Sequence, residues 1–169
     1  MRRLFLAGVM LLAGCSGSSG PKMAELSELP AGIPVRTLWQ ASVGEAGDAI
    51  LSPAVTVDGV YAAAQDGTVA RFEAATGKES WRVNVGRTLS GGVGSDGTIV
   101  SVGTLGGEVI VLDALSGEAR WRARVSSEVL SAPLVTGDLV VVRSADGRMF
   151  ALDAKDGRRR WLYQRSNPP

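Results

Sequence analysis

The chain has 169 residues, 45% of them apolar, with 22 glycines and a net charge of +1. That size and apolar share allow one domain with a sizeable core, and the near-neutral balance gives no electrostatic basis for binding nucleic acid. Histidine is absent and cysteine occurs once, which removes most zinc sites, histidine-based triads, the commonest general base and any internal disulfide.

In chain order, the first segment is an address. Arg2 and Arg3 precede an apolar run from Leu4 to Leu12, which ends in Ala13-Gly14-Cys15. A basic start, a short apolar run and small residues at its end make a secretory signal, and the run is too short to span a bilayer as a lasting helix. Without the two arginines the balance is −1. "LAGC" (Leu12–Cys15) resembles a bacterial lipobox. The resemblance implies removal of residues 1–14 and acylation, palmitate included, of the new terminus at Cys15. Several acyl chains anchor stably where one alone is marginal. Ser16 follows where an Asp would imply inner-membrane retention, so the expected location is the periplasmic face of the outer membrane. The alternative is an ordinary signal peptide with a chance cysteine. Residues 15–34 then read as a tether: "SGSSG" (Ser16–Gly20) is flexible, and the stretch with prolines at 21, 30 and 34 has no sustained period.

From residue 35 onward the chain is expected to be all-β. "VARFEAATGKESW" (Val69–Trp81), "VIVLDALSGEARW" (Val109–Trp121) and "MFALDAKDGRRRW" (Met149–Trp161) repeat at an interval of 40 residues. Gly67/Gly107/Gly147, Ala74/Ala114/Ala154, Gly77/Gly117/Gly157 and Trp81/Trp121/Trp161 stand in register, with an acidic column at Glu73, Asp113 and Asp153. A period of this length marks a solenoid, propeller or array. The first copy offers four short β-rich runs, Ala54–Val57, Val60–Ala64, Thr68–Glu73 and Ser80–Val85, split by Asp58-Gly59, Asp66-Gly67 and the loop through Gly77. The second includes Thr98–Val102 and Glu108–Asp113, the third Leu139–Arg143 and Arg148–Asp153. No segment after Leu12 carries a helical stripe, so four antiparallel strands per 40 residues predict one propeller blade per copy. The blades are expected at about 50–88, 89–128 and 129–169. Trp39, in "TLWQASVG", precedes Trp81 by 42 residues and has a flank like "ESWRVNVG" (Glu79–Gly86). Residues 36–44 are therefore expected to be an outer strand without a blade of its own, of the kind that closes a propeller ring.

The pattern A-x-D-A-x-x-G-x-x-x-W, best seen at Ala151, Asp153, Ala154, Gly157 and Trp161, resembles the repeat of pyrroloquinoline-quinone-type propellers. That resemblance implies that each Trp packs between blades, against the glycine turn of its neighbour. One large flat side chain per blade at fixed register is also what a radial stack of sheets needs. With the lipobox, the tether, "AGDAILSPAV" (Ala46–Val55), "LSGGV" (Leu89–Val93) and "EVLSAPLV" (Glu128–Val135), the chain resembles the BamB family, the lipoproteins of the β-barrel assembly machinery. The family's ring has eight blades, of which about three would be present, so the chain is expected to be an N-terminal fragment. The implied function is a non-catalytic scaffold without cofactor. Its implied partners are the barrel-inserting subunit, other subunits of that complex and unfolded outer membrane proteins.

Two other readings share the repeat. A quinone-dependent dehydrogenase would need a calcium site of carboxylates and amides, and the acidic column sits beside turns, where such residues are commonly solvated. Another lipid-anchored binding propeller is compatible with the repeats, since loops determine the ligand. Gly92-Val93-Gly94-Ser95-Asp96-Gly97 fits the dinucleotide pattern G-x-G-x-x-G, but no helix is expected after it, and a hairpin turn is the simpler reading. Arg158-Arg159-Arg160 reads as a solvated edge that discourages aggregation. Ser90 and Ser131 lack a base partner, so no catalytic or metal-binding residue is expected.

Overall fold

A computed structural model describes residue 32 and residues 34–165. Cys15, the expected signal and nearly all of the tether lie outside the described residues. The chain divides into two units, Met1–Arg36 and Thr37–Pro169, and every described strand belongs to the second.

That unit is a β-propeller segment of three blades, as the period of the sequence predicts. After β1 (Ile50–Leu51), the first blade runs β2 (Ala54–Val55), β3 (Gly59–Ala63), β4 (Thr68–Glu73) and β5 (Glu79–Asn84). The second is β6 (Leu89–Ser95), β7 (Ile99–Thr104), β8 (Glu108–Asp113) and β9 (Ala119–Arg124). The third is β10 (Leu134–Thr136), β11 (Leu139–Arg143), β12 (Met149–Asp153) and β13 (Arg159–Tyr163). Neighbours within each blade pair antiparallel in chain order. Each third-to-fourth-strand pair carries an irregularity at the same register, at Arg71/Phe72, Val111/Leu112 and Ala151/Leu152.

Period-2 alternation explains how the blades stack. In β8, Ile110 and Leu112 pack with Tyr61, Val69 and Leu89 toward the first blade. The alternate residues Val109 and Val111 pack with Trp121, Val140 and Phe150 toward the third. A strand buried on both faces reads as a continuous apolar run, which is what "VIVL" (Val109–Leu112) is. The fourth strands β5 and β9 alternate polar and apolar residues, and β5, β9 and β13 are largely exposed.

The inner strand β6 is glycine-rich for a steric reason. A Cβ on Gly94 would collide with the carbonyl oxygen of Pro133, and one on Gly91 would lie 2.6 Å from that of Ser131. The backbone leading into the third blade therefore passes directly over β6. Gly92 to Ser95 belong to this strand, the turn is confined to the residues after it, and a strand rather than a helix follows.

Three expectations need correction. Residues 36–44 form no strand: the segment makes no ladder hydrogen bonds with any strand among the described residues. Ile50 and Leu51, assigned by sequence to the first blade, pair in parallel with β6 of the second, opposite Gly91 and Gly92. The Ser52 carbonyl extends this contact by accepting from the Val93 amide at 2.7 Å. The first run of the first blade stops at Val55 because Thr56 turns the chain, its amide donating to the Gly59 carbonyl at 2.9 Å.

Candidate functional site

The repeated motif builds one device three times. The hairpin after each third strand closes through the amides of Gly77, Gly117 and Gly157, which donate to the carbonyls of Glu73, Asp113 and Asp153 at 2.8, 2.9 and 2.9 Å. These glycines have φ of 72°, 76° and 75°, a left-handed conformation that L side chains rarely adopt. Each also lies under an indole. A Cβ would sit 2.5 Å from Trp39 at Gly77, 2.9 Å from Trp81 at Gly117 and 2.6 Å from Trp121 at Gly157. The indole Nε1 of Trp39, Trp81 and Trp121 then donates to the carbonyl of Ala74, Ala114 and Ala154 at 2.9, 3.1 and 2.9 Å. Ring and N–H are thereby both satisfied at one turn of the next blade. Trp161, on β13, is 43% exposed, with no glycine turn against it among the described residues.

A second, backward contact was not read from the sequence. Arg82, next to Trp81, donates to the carbonyls of Ser42 and Val43 at 2.8 and 2.9 Å. Arg122, next to Trp121, donates to the Val85 carbonyl at 2.9 Å. Each tryptophan grips the following blade while the adjacent arginine holds the preceding segment. The Trp-Arg doublet, repeated at an interval of 40, was the signal for it.

The acidic column is spent on the turns. Asp113 accepts from the amides of Leu115 and Ser116 at 2.9 and 2.8 Å and pairs with Arg120 at 2.6 Å. The Arg120 hydrogen bond, then the Ser116 amide, lower its pKa from 3.8 to about 2. Asp153 accepts from the Lys155 amide and pairs with Arg160 at 2.6 Å; these contacts also lower its pKa. Glu73 accepts from Thr76 Oγ1 at 2.8 Å. These carboxylates stabilise hairpins. Ser90 Oγ is buried and donates to the Val129 carbonyl at 2.7 Å, and Ser131 is exposed. In the arginine run, Arg158 pairs with Asp156 and Arg160 with Asp153.

Two clefts open beside the turns at successive blade junctions. The one between the first and second blades, about 580 Å³, is lined by Val55, Val57, Asp58, Tyr61, Arg71 and Leu115 among others. Its counterpart between the second and third, about 420 Å³, is lined by Arg120, Asp138, Asp153, Lys155 and Arg160 among others. One is rimmed by aliphatic side chains, the other by charges.

Four-stranded blades joined by tryptophan-to-turn contacts define a propeller of the quinoprotein-repeat type. A family model described as outer membrane protein assembly factor BamB matches residues 65–169, and the chain belongs to this family. The chain is 40% identical over 108 residues to the assembly factor BamB of Burkholderia pseudomallei, covering 63% of this chain and 28% of that protein. It is 41% identical over 109 residues to that of Bordetella pertussis, covering 62% and 28%. The crystal structure of BamB from Moraxella catarrhalis superposes with a TM-score of 0.63 at 34% identity, covering 69% of this chain and 35% of that one. The chain thus spans roughly a third or less of the relatives it matches. A europium-containing methanol dehydrogenase, with a TM-score of 0.56 at 22% identity, shares the fold.

Proposed function

We propose that the chain is a non-catalytic scaffold of the outer-membrane β-barrel assembly complex, held by acyl chains on Cys15 at the periplasmic face of the outer membrane. It would bring the barrel-inserting subunit, other subunits and unfolded outer membrane proteins together through protein contacts. The observation that carries this reading is the family match over residues 65–169, from the outer half of the first blade through the third. The relatives at 40% identity bear the assembly-factor name, whereas the dehydrogenase shares only the fold. The lipobox-like Leu12–Cys15 supports the anchor. A carboxylate column committed to its own hairpins supports a scaffold over an enzyme. The test is affinity purification of the tagged full-length chain from detergent-solubilised membranes. Recovery of the barrel-inserting subunit is expected, and its absence from a membrane-bound preparation would overturn the scaffold role. Cys15→Ala should move the chain from the membrane pellet to the soluble periplasmic fraction; unchanged sedimentation would refute the anchor.

A further inference from the structure

The three blades allow an internal comparison, because equivalent positions answer the same packing demands. At three positions in the first blade the residues depart from that pattern together. Arg71 stands where the other blades bury Val111 and Ala151, both fully enclosed. Tyr61 stands opposite Ser101 and Val141, and Gly59 opposite Ile99 and Leu139. The three are in contact: a Cβ on Gly59 would lie 3.0 Å from Arg71 Nε and 3.2 Å from the Tyr61 hydroxyl. Arginine and tyrosine fill the space that an aliphatic side chain occupies in the sister blades.

Filling space does not satisfy the guanidinium. Arg71 Nη1 donates to Ser80 Oγ at 2.8 Å and Nη2 reaches the Asp58 carbonyl at 3.5 Å, but Nε is buried without a hydrogen-bond partner. Among the described residues Arg71 has no carboxylate within ion-pair distance; Arg36, Arg124, Arg143, Arg159 and Arg165 have none either, but those five are exposed whereas Arg71 is half-buried. A buried, unpaired N–H of a charged group is costly unless something else meets it. Arg71 lines the cleft between the first and second blades, and that cleft carries further departures. Val57 occupies a turn position held by Gly97 and Gly137, and Leu115 one held by Ala75 and Lys155. Val57 and Leu115 are 93% and 74% exposed, and Val55 on the same rim is 71% exposed. Among the described residues no side chain covers these aliphatic groups beside the Arg71 guanidinium.

We propose that this cleft binds a polypeptide segment in which one carboxylate side chain is followed by apolar side chains. The carboxylate meets Arg71, and the apolar side chains cover Val55, Val57 and Leu115. Two acidic residues on the rim narrow the choice. Asp96 is engaged by the amides of Thr98 and Ile99 at 2.8 and 3.2 Å, while exposed Asp58 disfavours a ligand with more than one negative charge. The second cleft, where Arg120, Asp138, Asp153, Lys155 and Arg160 surround buried Ile99 and Ala154, presents no exposed aliphatic side chain and is the built-in control. This inference stands independently of the assembly role.

The test is an NMR titration of the ¹⁵N-labelled full-length chain with the capped peptide acetyl-Gly-Asp-Leu-Phe-Gly-amide. Shifts are expected at the amides of Val57 and Leu115 and at the Arg71 Nε–H resonance. The Asn analogue of the peptide should bind about tenfold more weakly, the scale of one lost charge-assisted hydrogen bond. Arg71→Val, with the residue of the second blade, should weaken binding similarly. The triple change Gly59→Ile, Tyr61→Ser and Arg71→Val, which restores that blade's packing set, guards against a cavity artefact. Val57→Gly should weaken binding without touching the core. Absence of shifts up to about 1 mM peptide, equal binding of the Asn analogue, or unaltered affinity in the triple variant would overturn the proposal. So would displacement by decanoate at equal or lower concentration, which would identify a simple amphipathic anion instead. Loss of co-purification with the barrel-inserting subunit bears only on the assembly role and leaves this test intact.

Discussion

Trp39 and Trp121 make the same contact from two different backbones. Trp121 stands on β9, paired across the sheet with Val111, and only 9% of it is exposed. Trp39 stands on a segment with no strand pairing at all and is only partly buried. Both press the indole onto a left-handed glycine and donate to an alanine carbonyl at 2.9 Å. The junction is therefore a contact between a side chain and a turn, for which the strand ladder is not required. What the ladder adds is rigidity and burial: Trp121 sits in a core cluster with Val109, Val140 and Phe150, whereas Trp39 meets Phe72 at 6.4 Å between ring centroids on an open face.

The comparison breaks first at Trp121. Trp121→Ala removes a buried indole with its hydrogen bond and should destabilise the fold by about 3–5 kcal/mol, measured as a lower denaturant midpoint with unchanged slope. A loss below about 1 kcal/mol would show that the blades stack without the tryptophan. Trp39→Ala should cost less, about 1–2 kcal/mol, because more of the ring already meets water. Its effect should be local: hydrogen exchange should speed at Gln65, whose amide donates to the Glu45 carbonyl at 2.9 Å, and stay unchanged in β8. Equal losses for the two variants would mean that strand pairing contributes nothing to the junction.

The smallest expected effect concerns pH. The folded-state pKa of Asp113 is about 2, below its ordinary 3.8. The stability it contributes is present above about pH 4 and is lost as pH falls toward 2, where the folded carboxyl also protonates. Asp113→Asn should flatten the thermal midpoint over that window while leaving the neutral-pH profile parallel to the parent. An unchanged acid profile would show that the hairpin does not depend on the charge of Asp113.

Much of the fold was legible because period and turn chemistry are local. Gly77, Gly117 and Gly157 mark positions where only a left-handed residue closes the hairpin, and strands such as Glu108–Asp113 and Leu139–Arg143 follow from β-rich runs between such turns. Residues 36–44 misled because "LWQASVG" repeats the composition of an outer strand, whereas a strand also needs an edge to pair with. β1 escaped because two residues carry no period, and parallel pairing with Gly91 and Gly92 is a fact of three-dimensional proximity. The departures at Gly59, Tyr61 and Arg71 were visible in the aligned columns. Their convergence on one cleft was not, because residues 12 apart in sequence meet only across β3 and β4.

By itself the sequence determined the repeat, the turn positions, the Trp and Gly columns and the all-β character, since each depends on residues a few positions apart and on the conformations they permit. Tertiary structure alone decided which blade β1 joins, that segment 36–44 is held by side chains rather than a ladder, and that Arg71 lines a cleft without a carboxylate partner. Those outcomes depend on what lies across a junction from a given atom, and hydrogen bonding and desolvation there are set by neighbours that a linear pattern does not name.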